Sequence, residues 1–284
     1  MTLCERTDPL VRCGDGTLAV EYIAGQSAVT TCTSRSPLKI LVPRPRASSV
    51  WAYLSSFGGG LVAGDQTRLR LSVGENARCF VTTQASTKVY RNSQQTPCSH
   101  ETVAHVGARG LLVFAPDPIQ CFAGSTYTQR QMFHVDNGGS LVLLDWLSCG
   151  RGARGERWAF TRYASRNEVF VGGRDPELIL LDSTKLDSAD GAIDSPARMG
   201  RFNCIAVLAL LGPSLANHAQ AILEEVNNAP VVRGAAVISS ANPLRDGVLL
   251  RIAGPGVEEV GRVLAGHLAF LGHELGDDPW SRKW

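Results

Sequence analysis

In residues 67–73, TRLRLSV, the residues alternate: Leu69, Leu71 and Val73 fall on one side, Arg68, Arg70 and Ser72 on the other. A period of two with apolar residues on one side marks a β-strand with one face buried and one face in water. Working outward, LAVEYI (18–23), LKILVP (38–43), ARCFVTTQ (77–84), GLLVFAP (110–116), SLVLLDWL (140–147) and ELILLDST (177–184) read as further strands. Turn-rich pieces separate them: DPLVRCGDG (8–16), DNGG (136–139) and GGRDP (172–176). Beyond residue 200 the pattern changes. FNCIAVLALLG (202–212) reads as a buried strand and PSLANHAQAILEEVNN (213–228) as a helix with Pro213 in its first turn. VVRGAAVISS and DGVLLRIAG follow as strands separated by a turn at ANPLR, and 257–275 closes as an amphipathic helix with Val260, Val263, Leu264, Leu268 and Leu271 on one side. The expected architecture is mainly β. A body spans 1–199, and a β-α-β-β-α portion (200–284) either packs on it or continues the same domain. No internal repeat is evident, and 186–200 reads as a mobile connection.

The 284 residues suffice for a substantial core, and 44% hydrophobic with 19% charged is a globular balance. A net charge of +2 gives no long-range pull toward nucleic acid or acidic membranes. No apolar run reaches the roughly 20 residues of a membrane helix. The charged N-terminus lacks the apolar region of a signal peptide, which points to a cytoplasmic protein. Eight cysteines without a CxxC pair read as reduced, mostly buried thiols.

GGGLVAGD (58–65) invites a phosphate-loop reading, but it ends in Gly64-Asp65-Gln66 where such a loop needs Gly-Lys-Ser/Thr. The glycines are better explained by tight chain reversal. GPGVEEVG (254–261) lies too near the C-terminus to open a dinucleotide fold. CSHETVAH (98–105) is a local group of soft ligands that reads as a solvated loop, and His267 and His273 point in different directions on one helix. No nucleophile elbow occurs, and Asp65, Asp117, Asp145 and Glu156 are the carboxylates from which an acid-base pair would be drawn. LLDWLSCGRGARGERWAF gathers Trp146, Arg151, Arg154 and Glu156. It reads equally as a binding hot spot or as Arg–Glu pairs over a tryptophan.

In order, GGGLVAGD, TTQASTKVYR (82–91), APDPIQCFAGSTYTQ (115–129) and DWLSCGRGARGERW (145–158) resemble the motif series of the UreD (UreH) family of urease accessory proteins, and the closing DDPWSRKW is similar to that family's C-terminus. PDPIQCF and ARGERW look most like its eukaryote-type branch. The resemblance spans about 15–284. It implies a superhelical, β-helix-like stack of strands with a few helices. It also implies a protein that is no enzyme but a chaperone scaffold, binding apo-urease on one side and UreF on the other, with the GTPase UreG recruited through UreF. Nickel would pass through it in transit with no tightly bound cofactor, and a homodimer within the accessory complex is left open. Gly58, Gly59, Gly60, Gly64 and Asp65 match the glycine element, with Ala63 where glycine is usual. Thr83, Gln84, Lys88, Tyr90 and Arg91 match the second motif. Pro116, Asp117, Pro118 and Phe122 match the third, with Cys121 where proline is common. Trp146, Arg151 and Arg154 belong to the fourth. Asp65, Asp117 and Glu156 are the expected nickel-path carboxylates. The alternatives are a stand-alone β-rich hydrolase using a carboxylate pair, and a nickel store. A partner-binding scaffold of this kind should expose apolar patches and dissolve poorly without UreF.

Overall fold

The computed structural model describes residues 13–44, 47–92 and 96–282. Cys4, most of the turn-rich segment 8–16 and the last two residues of DDPWSRKW lie outside the described residues. The chain starts with β1 (Asp15–Ile23), β2 (Gln26–Ser34), β3 (Leu38–Leu41) and β4 (Val50–Ser56). Then come β5 (Gln66–Val73), β6 (Arg78–Thr83), β7 (Thr87–Val89), β8 (Cys98–Val106), β9 (Leu111–Phe114) and β10 (Ile119–Cys121). β11 (Thr126–Val135), β12 (Ser140–Ser148), β13 (Arg162–Val171) and β14 (Glu177–Asp187) follow. The remainder is β15 (Cys204–Leu211), α1 (Ala216–Asn228), β16 (Ile238–Leu244), β17 (Gly247–Gly254), α2 (Val257–His267) and α3 (Leu271–Leu275).

These strands form two sheets. Sheet A has the order β14-β13-β11-β8-β5-β1-β2, and sheet B the order β16-β17-β15-β12-β9-β6-β4-β3. From β4 to β13 the chain passes back and forth between them, so like strands stack in parallel: β5, β8, β11 and β13 in sheet A, β4, β6, β9 and β12 in sheet B. This is a flattened β-solenoid, as expected. β15, β17 and β16 then extend sheet B antiparallel from β12, without a break. The helices cover the outer face of sheet B, where Leu215, Ile222, Val260, Leu264, Leu268 and Leu271 pack on Trp51, Phe80, Val142 and Leu144.

The passages from sheet A to sheet B are stacked four-residue turns. Ala77, Gly110 and Gly139 donate their N–H groups to the carbonyls of Gly74, Gly107 and Asp136. The third residue of each turn, Asn76, Arg109 or Gly138, has φ of 60°, 57° or 84°, a left-handed position that glycine and asparagine take most easily. The solenoid is therefore a structural repeat without a sequence repeat.

Several strands had no apolar alternation to announce them, and the physical reason is the same in each. The inward face of β8 carries His100 and Thr102, that of β11 Gln129 and Gln131, and that of β13 Ser165 and Asn167. Where the buried side is itself polar, the period of two disappears from the hydropathy pattern. CSHETVAH, expected as a solvated loop, is in fact β8 at the middle of sheet A. ANPL, expected as a turn, lies in edge strand β16, where Pro243 is tolerated, and the chain reverses at Arg245 instead. Residues 257–275 are not one helix but α2 and α3, with a break at 268–270. The polar stretch 186–200 is tied down: Ile193 is buried and Arg198 donates to the Gly191 carbonyl. Among the described cysteines, Cys79, Cys98, Cys121, Cys149 and Cys204 are buried, and Cys13 and Cys32 are exposed.

Candidate functional site

The passages from sheet B back to sheet A are longer than the tight turns, and they hold the singled-out motifs. Residues 57–65 connect β4 to β5, 84–97 lead from β6 to β8, 115–125 from β9 to β11, and 149–161 from β12 to β13. Successive coils of a solenoid put these four segments side by side on one edge. Leu61 N–H donates to Lys88 O and Tyr90 N–H to Leu61 O, at 2.8 and 2.9 Å. β7 pairs in parallel with β10, and β10 with the end of β12.

The glycine run is shaped for this stacking. Gly58, Gly59 and Gly64 have φ of 75°, 72° and 84°. Gly60 is extended, but a Cβ there would lie 2.6 Å from Lys88 O, so it is a point of close backbone approach. Asp65 Oδ2 accepts from Val62 N–H at 2.8 Å, and this capping of the turn is where the structure places it, outside the cavity described below. Tyr90 sits edge-on to Phe122 at 5.4 Å, and the Arg151 guanidinium lies over the Phe122 ring, 4.3 Å from its centroid. Arg151 is paired with Glu156, which also accepts from Ala123 N–H at 3.2 Å. Those contacts hold the Glu156 carboxyl below its ordinary range, with the Arg151 hydrogen bond as the main cause. Glu156 is thus a structural ion-pair partner on the edge. Arg91 and Arg154 are exposed, whereas Trp146 is buried on the other face of sheet B and donates to Pro116 O at 2.7 Å.

Beneath this edge, between the two sheets, lies a cavity of about 240 Å³. Exposed Gly59, Gln84 and Lys88 line its outer end, and Thr83, Asp117, His100, Gln131 and Asp145 its interior. Of the three expected nickel-path carboxylates, only Asp117 lines it. Thr83 Oγ1 donates to Asp117 Oδ2 at 3.0 Å and accepts from Asp117 N–H at 2.7 Å.

On sheet A, where Thr67, His100, Gln129 and Gln131 line the cavity, two polar rows run in register across the strands. One runs Thr67, His100, Gln129, Ser165 and Thr184, the other Thr102, Gln131, Asn167 and Asp182. His100 lies between the Thr67 and Thr102 hydroxyls, at 2.7 and 2.9 Å. Burial lowers its pKa to about 4, so the imidazole is neutral at neutral pH. Asp145, from sheet B, accepts from Gln129 Nε2 at 2.8 Å, Ser165 Oγ at 2.6 Å and Asn167 Nδ2 at 2.8 Å. Burial raises its pKa above the usual carboxylate range, and these hydrogen bonds oppose the rise. Gln131 Oε1 and Asn167 Oδ1, both buried acceptors, have no hydrogen-bond partner among the described residues. Beyond them Asp182 pairs with Arg251 at 2.9 Å.

The places of His100, Gln131 and Asp145 in the cavity, and the reach of Asn167 to Asp145, were missed from sequence. The available signal was the cluster of Gln, Asn and Ser at alternate positions of otherwise strand-like segments. Chemically the cavity offers oxygen acceptors and one neutral imidazole, with no strong nucleophile. Among the described residues no three His, Cys, Asp or Glu side chains converge as a metal cage.

Residues 13–284 match the family described as UreD urease accessory protein. The chain is 48% identical to the urease accessory protein UreD of Sorangium cellulosum, over 96% of this chain and 85% of that protein. It is 41% identical to the UreD of Anaeromyxobacter sp., covering 96% and 90%. Urease accessory protein D of Arabidopsis thaliana is 34% identical, covering 94% and 99%. These two bacterial relatives exceed the plant one in identity, so the eukaryote-type likeness of PDPIQCF and ARGERW does not extend to the whole chain. With a family match over nearly its full length and a β-solenoid whose edge is made of the family-like motifs, the chain belongs to the UreD family of urease accessory proteins.

Proposed function

We propose that this chain serves urease maturation as a non-catalytic scaffold that passes nickel through its interior to apo-urease. On this reading UreF docks on it and brings the GTPase UreG, whose nickel enters the chain as cargo. The observation that carries the reading is the polar band across an otherwise apolar sandwich, with two buried acceptor oxygens near Asp145, Gln131 Oε1 and Asn167 Oδ1, that have no hydrogen-bond partner among the described residues. A buried acceptor without a partner costs about 1–3 kcal/mol, and a passing hydrated cation would satisfy it. Oxygen donors and one imidazole suit nickel, and the lack of a closed cage suits transit better than storage. The neutral His100 and the buried Asp145 supply successive weak ligands, with Asp117 nearer the outer end of the cavity. Carboxylates held by Thr83 or by three side-chain donors are poorly placed as the free acid-base pair a hydrolase would need.

The test is urease purified from cells carrying Asp145→Asn in place of the wild-type chain. The near-isosteric amide should leave the chain folded and co-purifying with its partners while nickel per urease drops several-fold. Fully loaded urease would overturn the reading.

A further inference from the structure

The cavity between the sheets has more apolar wall than a cation in transit requires. Besides its polar groups it is lined by Leu38, Leu54, Leu61, Phe114, Ile119 and Tyr127, all buried. Apolar walls do nothing to hold a hydrated ion, whose shell bonds only to donors and acceptors. Apolar and aromatic walls with a few placed polar groups are the composition of a site for a small organic molecule. The space, about 240 Å³, is larger than the cavity of about 150 Å³ that suffices for benzene. At the same packing it takes about ten non-hydrogen atoms.

The polar groups say which end of such a molecule goes inward. Gln131 is 2% exposed and lines the interior, and its buried Oε1 has no hydrogen-bond partner among the described residues. An occupant that satisfies it presents a donor. The buried carboxylates Asp117 and Asp145 line the same interior. Among the described residues the only lysine of the lining is Lys88, exposed at the outer end, and no arginine lines the cavity. His100 adds no positive charge, because burial keeps its ring neutral between the Thr67 and Thr102 hydroxyls. The charge balance of the interior therefore favours a cationic donor, and the apolar walls favour a hydrocarbon body behind it.

We infer that the cavity is a binding site for a small monoamine, whose primary ammonium group donates to Gln131 Oε1 and whose apolar body lies against Leu54, Leu61 and Phe114. This goes beyond the nickel reading and does not depend on it. A bound amine and a passing nickel ion would meet the same oxygens, so each excludes the other.

The test titrates the full-length chain, free of metal and near neutral pH, with n-pentylamine, n-pentanol and pentanoate, read by calorimetry and by the unfolding midpoint. The amine should bind and raise the midpoint, the alcohol should bind at least tenfold more weakly, and the acid should not bind. Gln131→Leu keeps the bulk of the side chain and removes the acceptor. It should unfold at the wild-type midpoint without ligand and bind the amine at least fivefold more weakly. Crystals soaked in para-bromobenzylamine give a reading that needs no variant: bromine anomalous density should lie between the sheets. No binding of the amine, equal affinity for all three probes, wild-type affinity in Gln131→Leu, or bromine found only outside the sandwich would each overturn the inference. None of these readouts involves nickel or urease, so such a failure leaves the nickel reading standing. Fully loaded urease with Asp145→Asn, which overturns that reading, leaves the amine site standing.

Discussion

The two halves of the sandwich interior are built from the same strands and do different work. Near the tight turns, Val20, Val73, Val106, Val135 and Val171 stand in register, next to a row of Leu18, Leu71, Ala104, Phe133 and Val169. A few residues along the same strands, toward the motif-bearing edge, the rows become His100, Gln129 and Ser165, then Thr102, Gln131 and Asn167. The apolar half repays the chain entropy of ordering the coils, since a fully buried large apolar side chain contributes about 1.5–3 kcal/mol. The polar half contributes less to stability and retains buried acceptors without partners among the described residues, which is expected where a site has been kept at the expense of packing.

The difference can be broken by substitution, beginning with the largest effect. Phe133→Ala empties a fully buried position in the apolar half and should lower stability by about 3–5 kcal/mol in denaturant titration. A loss below ~1 kcal/mol would mean the apolar rows do not hold the fold.

The polar half should announce itself through pH. His100 binds its proton near pH 4 in the folded chain and near 6.5 when unfolded. Between these values the unfolded state holds the extra proton, so stability falls as pH drops from 6.5 toward 4, by about 3 kcal/mol from this group. Asp145, with its raised pKa, contributes in the opposite sense, losing stability as pH rises above the unfolded carboxylate value. His100→Gln isolates the first contribution: thermal melts across this range should show a flatter acid limb in the variant. An unchanged limb would place the imidazole in water.

At the edge, Gly60→Ala forces a methyl to within 2.6 Å of the Lys88 carbonyl and should cost about 1–3 kcal/mol, read as a lower Tm. The smallest stability effect should come from Gln131→Leu, which removes a buried acceptor with no partner among the described residues and should be neutral or slightly stabilising. Nickel loading of urease should nevertheless fall in that variant. A stability loss with normal loading would reverse the assignment of the two halves.

How much of this was legible follows from the same contrast. TRLRLSV announced β5 because its inward residues are leucine and valine, and the C-terminal β-α-β-β-α order was clear because its strands and helices bury apolar faces. The family-like motifs were legible as motifs, and the solenoid explains their spacing, since each occupies one passage from sheet B to sheet A. β8, β11 and β13 were hidden because their buried rows carry His, Thr, Gln, Ser and Asn, of which His100, Gln129 and Gln131 also line the cavity. Asp145 stood in a recognisable strand, but its partners lie 16 to 22 residues away on another sheet, and only the fold brings them together. Asp65 and Glu156 drew attention as carboxylates in motifs, yet their partners are the turn amide of Val62 and the Arg151 guanidinium.

The most direct test of the central claim is nickel-edge anomalous diffraction from crystals of the chain grown with its partners and supplied with nickel. The account predicts anomalous density inside the sandwich, among His100, Gln131 and Asp145. Density confined to surface histidines such as His273, with none between the sheets, would contradict it.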